Sequence, residues 1–287
     1  RGIMALTKKE EDTVKDLFVS STHHHLLCFT NQGNVYRIKA YQVPMAQRQA
    51  RGTPIQNIVP LDERERVTEI ISVLGFDLGG YLFMVTRGGV VKKTELAEFD
   101  TPLRNKGIRA INLDEGDELA WVLWTDGSRD IVLVTSGGKA NRFDEEEVRA
   151  TGRAARGVMT MNLDKDERLV AALSVEKQDR RELLVVSENG LGKRTPLAEY
   201  SRKSRRAGGV LTMRVTERTG PVVGATVVDP DDEIMCITAQ GVLLRCKTEA
   251  IRMTGRAAQG VMIVRPGEED RVSTVAKVVR YATEKSE

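Results

Sequence analysis

Short apolar stretches recur along the chain, and each leads into a turn with glycine and then into a second stretch of strand-forming residues. Many of these stretches alternate apolar and polar positions, and no segment carries the apolar stripe of period 3.6 that marks an amphipathic helix. Five copies of this opening are present, at 26–33, 82–89, 131–138, 183–190 and 234–241. The pattern predicts a series of β-hairpins.

The turn glycines of these hairpins are regularly spaced. A hairpin turn needs a positive φ angle, which glycine adopts without a Cβ clash. Successive turn glycines are 56, 49, 52 and 51 residues apart, at Gly33, Gly89, Gly138, Gly190 and Gly241. Such spacing indicates an internal repeat of about 50 residues.

A second marker, here called the basic loop, follows each hairpin and ends in its own glycine. This glycine lies 19, 18, 19, 19 and 19 residues after the turn glycine, at Gly52, Gly107, Gly157, Gly209 and Gly260. An alternating strand, an acidic turn and a last apolar strand complete the unit. About four strands in about 50 residues predict an all-β, propeller-like fold.

We divide the chain into about six repeats, five complete and one half. The half repeat covers 1–19 and a polar, frayed tail covers 281–287. The complete repeats, numbered 1 to 5, cover about 20–76, 77–125, 126–176, 177–229 and 230–280.

The net charge of +3 comes from 44 basic and 41 acidic residues, so their placement matters more than their sum. A basic residue stands four positions after every turn glycine; this basic column is Arg37, Lys93, Arg142, Arg194 and Arg245. Further cations flank it or fill the basic loops: Lys39, Arg48, Arg51, Arg104, Lys106, Arg153, Arg156, Lys193, Arg205, Arg206 and Arg256. Acidic residues gather in the later turns.

In a radial arrangement of repeats, the basic positions would form a rim, and such a rim suits the phosphates of a bent DNA duplex. We therefore predict that these sixteen residues bind duplex DNA. Taken singly, each cation has a simpler explanation as a solvated side chain or as the cross-strand partner of an acid.

Reactive chemistry is not indicated. The three histidines, 23–25, are consecutive and alternate between strand faces, with no acidic or cysteine partner close in sequence, so we expect no metal site. The chain has no GxxxxGK[ST] loop, and no nucleophile-and-base constellation is suggested. Trp121 and Trp124 are expected to pack in the core. The sequence favours a non-catalytic module without a cofactor.

Three cysteines without a CxxC favour a reducing compartment, and Cys28 and Cys236 fall on a packed strand position. No apolar run approaches the ~18–20 residues of a membrane span. We expect a cytoplasmic, monomeric module.

Particular segments make the repeat more specific. Residues 36–41 with 50–55, and residues 190–195 with 199–200 and 215–218, closely resemble repeats of the C-terminal domain of the bacterial DNA gyrase A subunit. The resemblance covers essentially the whole chain. Of that family's seven-residue Gln-Arg-Arg-Gly-Gly-Lys/Arg-Gly box, Arg1 and Gly2 match the last two positions.

This resemblance implies a β-pinwheel, a propeller-like disc whose neighbouring blades exchange strands and whose basic rim wraps duplex DNA. It also implies an ATP- and Mg-dependent type II topoisomerase as parent, in which the domain serves negative supercoiling together with the remainder of the gyrase A subunit, and with the gyrase B subunit. By the same resemblance, the DNA-cleaving tyrosine belongs to an upstream domain. Two alternatives stay open: the homologous domain of topoisomerase IV, and a propeller-like protein–protein docking platform.

Overall fold

The computed structural model describes residues 20–46, 52–103 and 106–278. These residues form short antiparallel strands joined by turns and single-turn 3-10 helices. The strands are β1 (His25–Thr30), β2 (Asn34–Lys39), β3 (Val67–Val73), β4 (Tyr81–Thr86), β5 (Val90–Glu95), β6 (Ile108–Arg109), β7 (Leu119–Thr125), β8 (Asp130–Thr135), β9 (Lys139–Asp144), β10 (Val158–Met159), β11 (Leu169–Val175), β12 (Glu182–Ser187), β13 (Leu191–Pro196), β14 (Val210–Leu211), β15 (Val222–Val228), β16 (Glu233–Thr238), β17 (Leu243–Lys247), β18 (Val261–Met262) and β19 (Val272–Val278). The 3-10 helices are Ala40–Gln42, Ile55–Asn57, Leu96–Phe99, Glu145–Glu147, Leu197–Glu199 and Thr248–Ala250.

The strands form five antiparallel sheets, the blades, which follow the five complete repeats in order. Each blade is built on one predicted hairpin, with the last strand of the same repeat beside its first strand. The strand orders are β3-β1-β2-β6, β7-β4-β5-β10, β11-β8-β9-β14, β15-β12-β13-β18 and, in the part of the chain that is described, β19-β16-β17.

Neighbouring blades exchange strands. The short fourth strand of blade 1, β6, belongs to repeat 2, and β10, β14 and β18 likewise come from the repeat after the blade that they complete. In each case the donated strand follows directly on a basic loop. Blades and sequence repeats are therefore offset by one short strand.

The last strands of the repeats are the inner strands. Along the chain, β3, β7, β11, β15 and β19 pack each against the next, around a cavity of about 870 Å³. The donated strands occupy the opposite edge of the first four sheets, so they lie on the outer rim.

The hydrophobic core lies between successive blades. In β4, Leu82 and Met84 pack toward blade 1, whereas Phe83 and Val85 pack toward blade 3. All four side chains are fully buried. Burial of both faces explains why the first strands of the hairpins are continuous apolar runs rather than alternating ones.

The turn glycines also form hydrogen bonds with the chain that follows the donated strands. Gly190 has φ +80°, and its carbonyl accepts the N–H groups of Ile263 and Val264 at 3.0 and 3.2 Å. A Cβ at this position would lie 2.1 Å from the Val264 carbonyl oxygen. The glycine is thus required both by the turn and by the neighbouring repeat.

Gly190→Ala is expected to lower the free energy of unfolding by at least about 2 kcal/mol, because it combines a left-handed backbone with a backbone clash. Urea unfolding followed by circular dichroism measures the change. Gly255→Ala is the control: the nearest atom to its Cβ, Oε2 of Glu199, is 3.8 Å away. Equal unfolding midpoints for the two variants would contradict this role of Gly190.

The prediction of an all-β, propeller-like fold with strand exchange is confirmed. The half repeat at 1–19 and the tail at 281–287 lie outside the described residues. Within the described ranges, no helix is long and apolar enough to cross a membrane.

Candidate nucleic-acid interface

The basic loops of repeats 3, 4 and 5 lie along the outermost edge of the blades. Each of these three loops first runs beside the second hairpin strand of the preceding blade and then continues into the donated strand. The N–H groups of Thr151, Lys203 and Thr254 donate to the carbonyls of Lys93, Arg142 and Arg194 at 2.8, 2.8 and 2.9 Å. Three successive loops therefore hold the same place on the rim.

The loop cations differ in exposure. Lys106, Arg156 and Arg206 are exposed, whereas Arg153, Arg205 and Arg256 are half-buried. Arg156 forms a two-pronged pair with Asp114 in the acidic turn of repeat 2, and this pair lowers the pKa of the Asp114 carboxyl. Arg48, Arg51 and Arg104, like Arg1 and Gly2, lie outside the described residues.

The half-buried arginines share one position, four residues before the last glycine of the loop. Two of them donate to the backbone of a donated strand: Nη1 of Arg153 donates to the Arg109 carbonyl at 3.5 Å, and Nη1 of Arg205 donates to the Met159 carbonyl. Arg109 and Met159 are equivalent residues of two donated strands. Among the described residues, no carboxylate pairs with Arg153, Arg205 or Arg256. Within the described residues, these guanidinium groups thus have no salt-bridge partner, although the Glu147 carboxylate accepts the backbone N–H of Arg205 at 2.8 Å.

The basic column does not belong to this surface, which corrects the expectation from the sequence. Lys93, Arg142 and Arg194 are buried, and the side chain of Arg37 is 13% exposed. Each column residue contacts the residue twelve positions earlier on the paired strand. These partners are His25, Tyr81, Asp130, Glu182 and Glu233.

The same side chains join one repeat to the next. Arg142 donates from Nε to Asp130 at 2.7 Å and from Nη1 to the Leu197 carbonyl of repeat 4 at 3.1 Å. Arg194 donates to the Ile251 carbonyl of repeat 5 at 2.7 Å. A buried side chain with such partners is not available to a phosphate, so the column serves the joints between blades.

Lys93 and Arg37, the earlier members of the column, also link one repeat to the next. Lys93 donates to the Glu145 carbonyl of repeat 3 at 3.1 Å, and Arg37 donates to Asp100 of repeat 2 at 2.8 Å. The side chain of Arg245, in the last blade, is 60% exposed. No described repeat follows it to cover it, which explains the exception.

Lys193 and Lys39 also differ from the expectation. Lys193 is fully buried, and its Nζ donates to the carbonyls of Gly255 and Arg256 at 2.7 and 2.5 Å. Burial lowers its pKa to about 8. Lys39 is half-buried, with its Nζ 2.8 Å from Nε2 of His25. Neither side chain lies in a basic loop.

Sequence reasoning missed the role of the buried donors on the second hairpin strands. Lys92, which was not among the predicted residues, is buried like Lys193 and donates to the carbonyls of Ala110 and Arg153. Burial lowers its pKa to about 8 as well. The signal was present, because Lys92 and Lys193 both stand three residues after a turn glycine.

The acidic turns stabilise the hairpin turns of their own repeats. Glu65 accepts a hydrogen bond from Thr30 at 2.5 Å, Glu167 accepts one from Thr135, and Asp117 accepts the Gly88 N–H at 2.8 Å. These hydrogen bonds place the acidic turns at the hairpin end of the blades, and in repeat 2 the acidic turn also contacts the next basic loop through the pair of Asp114 with Arg156.

The remaining candidates from the sequence are the cysteines, the possible metal ligands and the tryptophans. Cys28 and Cys236 are buried, which raises the pKa of each thiol to about 12. Among the described residues, no three His, Cys, Asp or Glu side chains are grouped to hold a metal ion. Trp121 packs against a core cluster, but Trp124 is 43% exposed, contrary to the expectation of core packing.

Five sheets, four of them completed by an outer strand from the next repeat, define a strand-exchanging β-propeller, and arginines without a salt-bridge partner among the described residues lie on loops along its rim. The family model of the DNA gyrase C-terminal domain, described as a beta-propeller, matches residues 24–73, 80–123, 129–176, 181–229 and 232–278. The chain belongs to this family.

Relatives over almost the whole chain agree with this assignment. The DNA gyrase A subunit of Salmonella typhimurium is 44% identical over 278 residues, 97% of this chain and 31% of that protein. That of Escherichia coli K12 is 44% identical over 284 residues, 99% of this chain and 32% of that protein. The chain thus spans about a third of the length of the curated relatives it matches.

Solved structures agree on the fold. A crystal structure of the C-terminal domain of DNA topoisomerase IV superposes with a TM-score of 0.82 at 32% identity, covering 90% of this chain and 80% of that one. A structure of a DNA gyrase A C-terminal domain superposes with a TM-score of 0.76 at 27% identity, covering 90% of this chain and 84% of that one.

Proposed function

We propose that this domain binds duplex DNA through the basic loops of its rim and bends the duplex around successive blades. The observation that carries the proposal is the repeated arginine of three consecutive loops: Arg153, Arg205 and Arg256. Each lies on the outermost edge of a blade without a carboxylate partner among the described residues. Equivalent cations on successive blades suit a polyanion that follows the rim.

The chemistry of these loops favours phosphate over bases. A guanidinium fork donates two hydrogen bonds to a phosphate, and phosphate contacts carry no sequence information. Bending a few tens of base pairs costs several kcal/mol, so contacts at several blades must act together. We expect binding that is strong at low salt and indifferent to sequence.

In the parent protein, this wrapping would serve a type II topoisomerase. The family membership supports a role in DNA gyrase, in which a wrapped segment fixes the hand of the DNA crossing and so permits negative supercoiling. The catalytic steps, with ATP and Mg, and the contacts with the gyrase B subunit would belong to other parts of a cytoplasmic heterotetramer. This domain would be non-catalytic and, in isolation, monomeric.

The test is a linking-number assay. The chain is incubated with nicked circular duplex across a salt series, the nick is ligated, and the change in linking number is counted. We expect a shift that fades as salt rises, with affinity falling by about 0.9 decade per decade of salt for each phosphate contact. Binding without a shift would overturn wrapping, and the absence of binding at low salt would overturn the DNA proposal as a whole.

One observation favours a second function. The donated strands expose apolar side chains beside the basic loops, with Met159, Leu211 and Met262 between 37% and 45% exposed. Such a row suits a protein partner that docks on the rim. A partner held by apolar contacts would bind with little dependence on salt, so the same salt series separates the two functions.

A further inference from the structure

Three buried side chains donate hydrogen bonds to the backbone of the basic loops from the interior of the protein. They stand three residues after a turn glycine, on the second strand of a hairpin: Lys92, Asn141 and Lys193. All three are at most 1% exposed. Their polar ends point outward into the basic loop of the following repeat, so they lie directly beneath the proposed DNA surface.

The acceptors are equivalent in the three joints. Lys92 donates to the carbonyl of Arg153, and Lys193 donates to that of Arg256 at 2.5 Å. Asn141 donates to the carbonyl of Arg205 at 3.1 Å. The carbonyl held in each joint is thus that of the arginine four residues before the loop glycine.

A second carbonyl is held in the two later joints. Lys193 also donates to Gly255 at 2.7 Å, and Asn141 also donates to Ser204 at 3.1 Å. Two hydrogen bonds to adjacent carbonyls fix the direction of the peptide plane that leads into the arginine. The ammonium of Lys193 and the carboxamide of Asn141 donate to equivalent carbonyls. The two joints therefore have the same hydrogen-bond arrangement, although the two donors differ in charge.

The joint between repeats 1 and 2 differs both at the position of the buried donor and at the position of the loop arginine. Its position three residues after the turn glycine is Tyr36, whose hydroxyl donates to Glu65 of its own repeat at 2.6 Å. The position four residues before the loop glycine is Leu103 instead of arginine. In the four joints between the complete repeats, the buried donor to the loop therefore occurs together with the rim arginine.

We propose that Lys92, Asn141 and Lys193 are positioning residues of the DNA-binding rim, which orient the loop arginines through their backbone carbonyls and do not themselves contact DNA. This inference rests on the proposed function. Without the buried donor, the loop would have to be ordered on binding, and this entropy cost would offset what a single phosphate contact contributes, so the arginine would lose its contact.

The test uses Lys193→Met, which keeps the length of the side chain but removes the donor, and Lys193→Asn, which copies the third repeat. Binding of the full chain to a duplex of random sequence is measured by fluorescence anisotropy across a salt series. We expect Lys193→Met to lower the salt slope by about 0.9 and to weaken binding about eightfold at about 0.1 M salt. Lys193→Asn is expected to restore both.

A double-mutant cycle with Arg256→Ala separates positioning from direct contact and from loss of fold. If Lys193 acts through Arg256, Lys193→Met adds little to the loss of affinity caused by Arg256→Ala. Additive losses, or failure of Lys193→Asn to restore the slope in a variant with a normal unfolding midpoint, would overturn the inference. An unchanged slope in Lys193→Met would do the same.

Failure of this inference can be distinguished from failure of the proposed function. If the unaltered chain shows no salt-dependent DNA binding, the proposed function fails, and the inference fails with it. If the unaltered chain binds with the expected slope while Lys193→Met matches it, only the inference fails. Hydrogen exchange of the 254–260 amides gives a readout without DNA, and we expect faster exchange in Lys193→Met but not in Lys193→Asn.

Discussion

Arg142→Met is expected to lower the free energy of unfolding by about 3–5 kcal/mol, because it leaves the carboxylate of Asp130 buried without its main partner. Asp130 is fully buried, and Arg142 also ties it to the Leu197 carbonyl of the next repeat. Urea unfolding followed by circular dichroism measures the loss. At salt and urea concentrations where the variant is folded, its affinity for DNA should be nearly unchanged.

Arg245→Met is the matched control. It removes the equivalent cation of the last blade, whose side chain is 60% exposed and pairs with Glu233. A pair exposed to this degree contributes at most about 1 kcal/mol. If both variants lost the same stability, the column would not act through burial between blades. If Arg142→Met instead reduced the salt slope of DNA binding, the column would belong to the rim after all.

The second large effect is expected on DNA binding. Replacing Arg153, Arg205 and Arg256 together by glutamine should lower the salt slope by about 2.7 and weaken binding a few hundredfold at about 0.1 M salt, on the basis of one phosphate contact for each arginine. The free energy of unfolding should change little, because these side chains are only half-buried. Anisotropy titrations across a salt series measure the slope.

A second triple variant controls for net charge. Lys165→Gln, Arg168→Gln and Arg218→Gln remove the same number of charges from exposed positions in or beside the later turns, and Arg168 lines the central cavity. We expect the salt slope of this variant to change by less than about 1. A similar loss in both variants would mean that total charge, not the basic loops, governs binding.

The architecture was predictable because its determinants are local. The turn glycines need a positive φ, and the distance from each of them to the loop glycine is set by a loop and a strand of fixed length. Gly190 illustrates both, with a φ of +80° and the donated strand on its carbonyl. The exchange of strands followed only from family resemblance, since nothing in the spacing says which blade a short strand joins.

The binding surface was predictable only in part. The basic loops were predicted, and the described ones lie on the rim. The basic column was assigned to the same surface, although all its members except Arg245 are buried or nearly so. Repetition by itself does not separate the two, since a structural joint recurs in every repeat as faithfully as a ligand contact. The acids Asp130, Glu182 and Glu233, twelve residues before their cations, were the signal that would have distinguished them.

Strand donation also determines where this chain can be lengthened or shortened. A cut between two sequence repeats leaves the preceding sheet without its outer strand, as the orders β11-β8-β9-β14 and β15-β12-β13-β18 make plain. A segment that begins just after one donated strand and ends with the next preserves every sheet when it is deleted or duplicated. The unit that can be added or removed is therefore the segment between two successive donated strands rather than the sequence repeat. Duplicating this segment would add one blade and lengthen the rim.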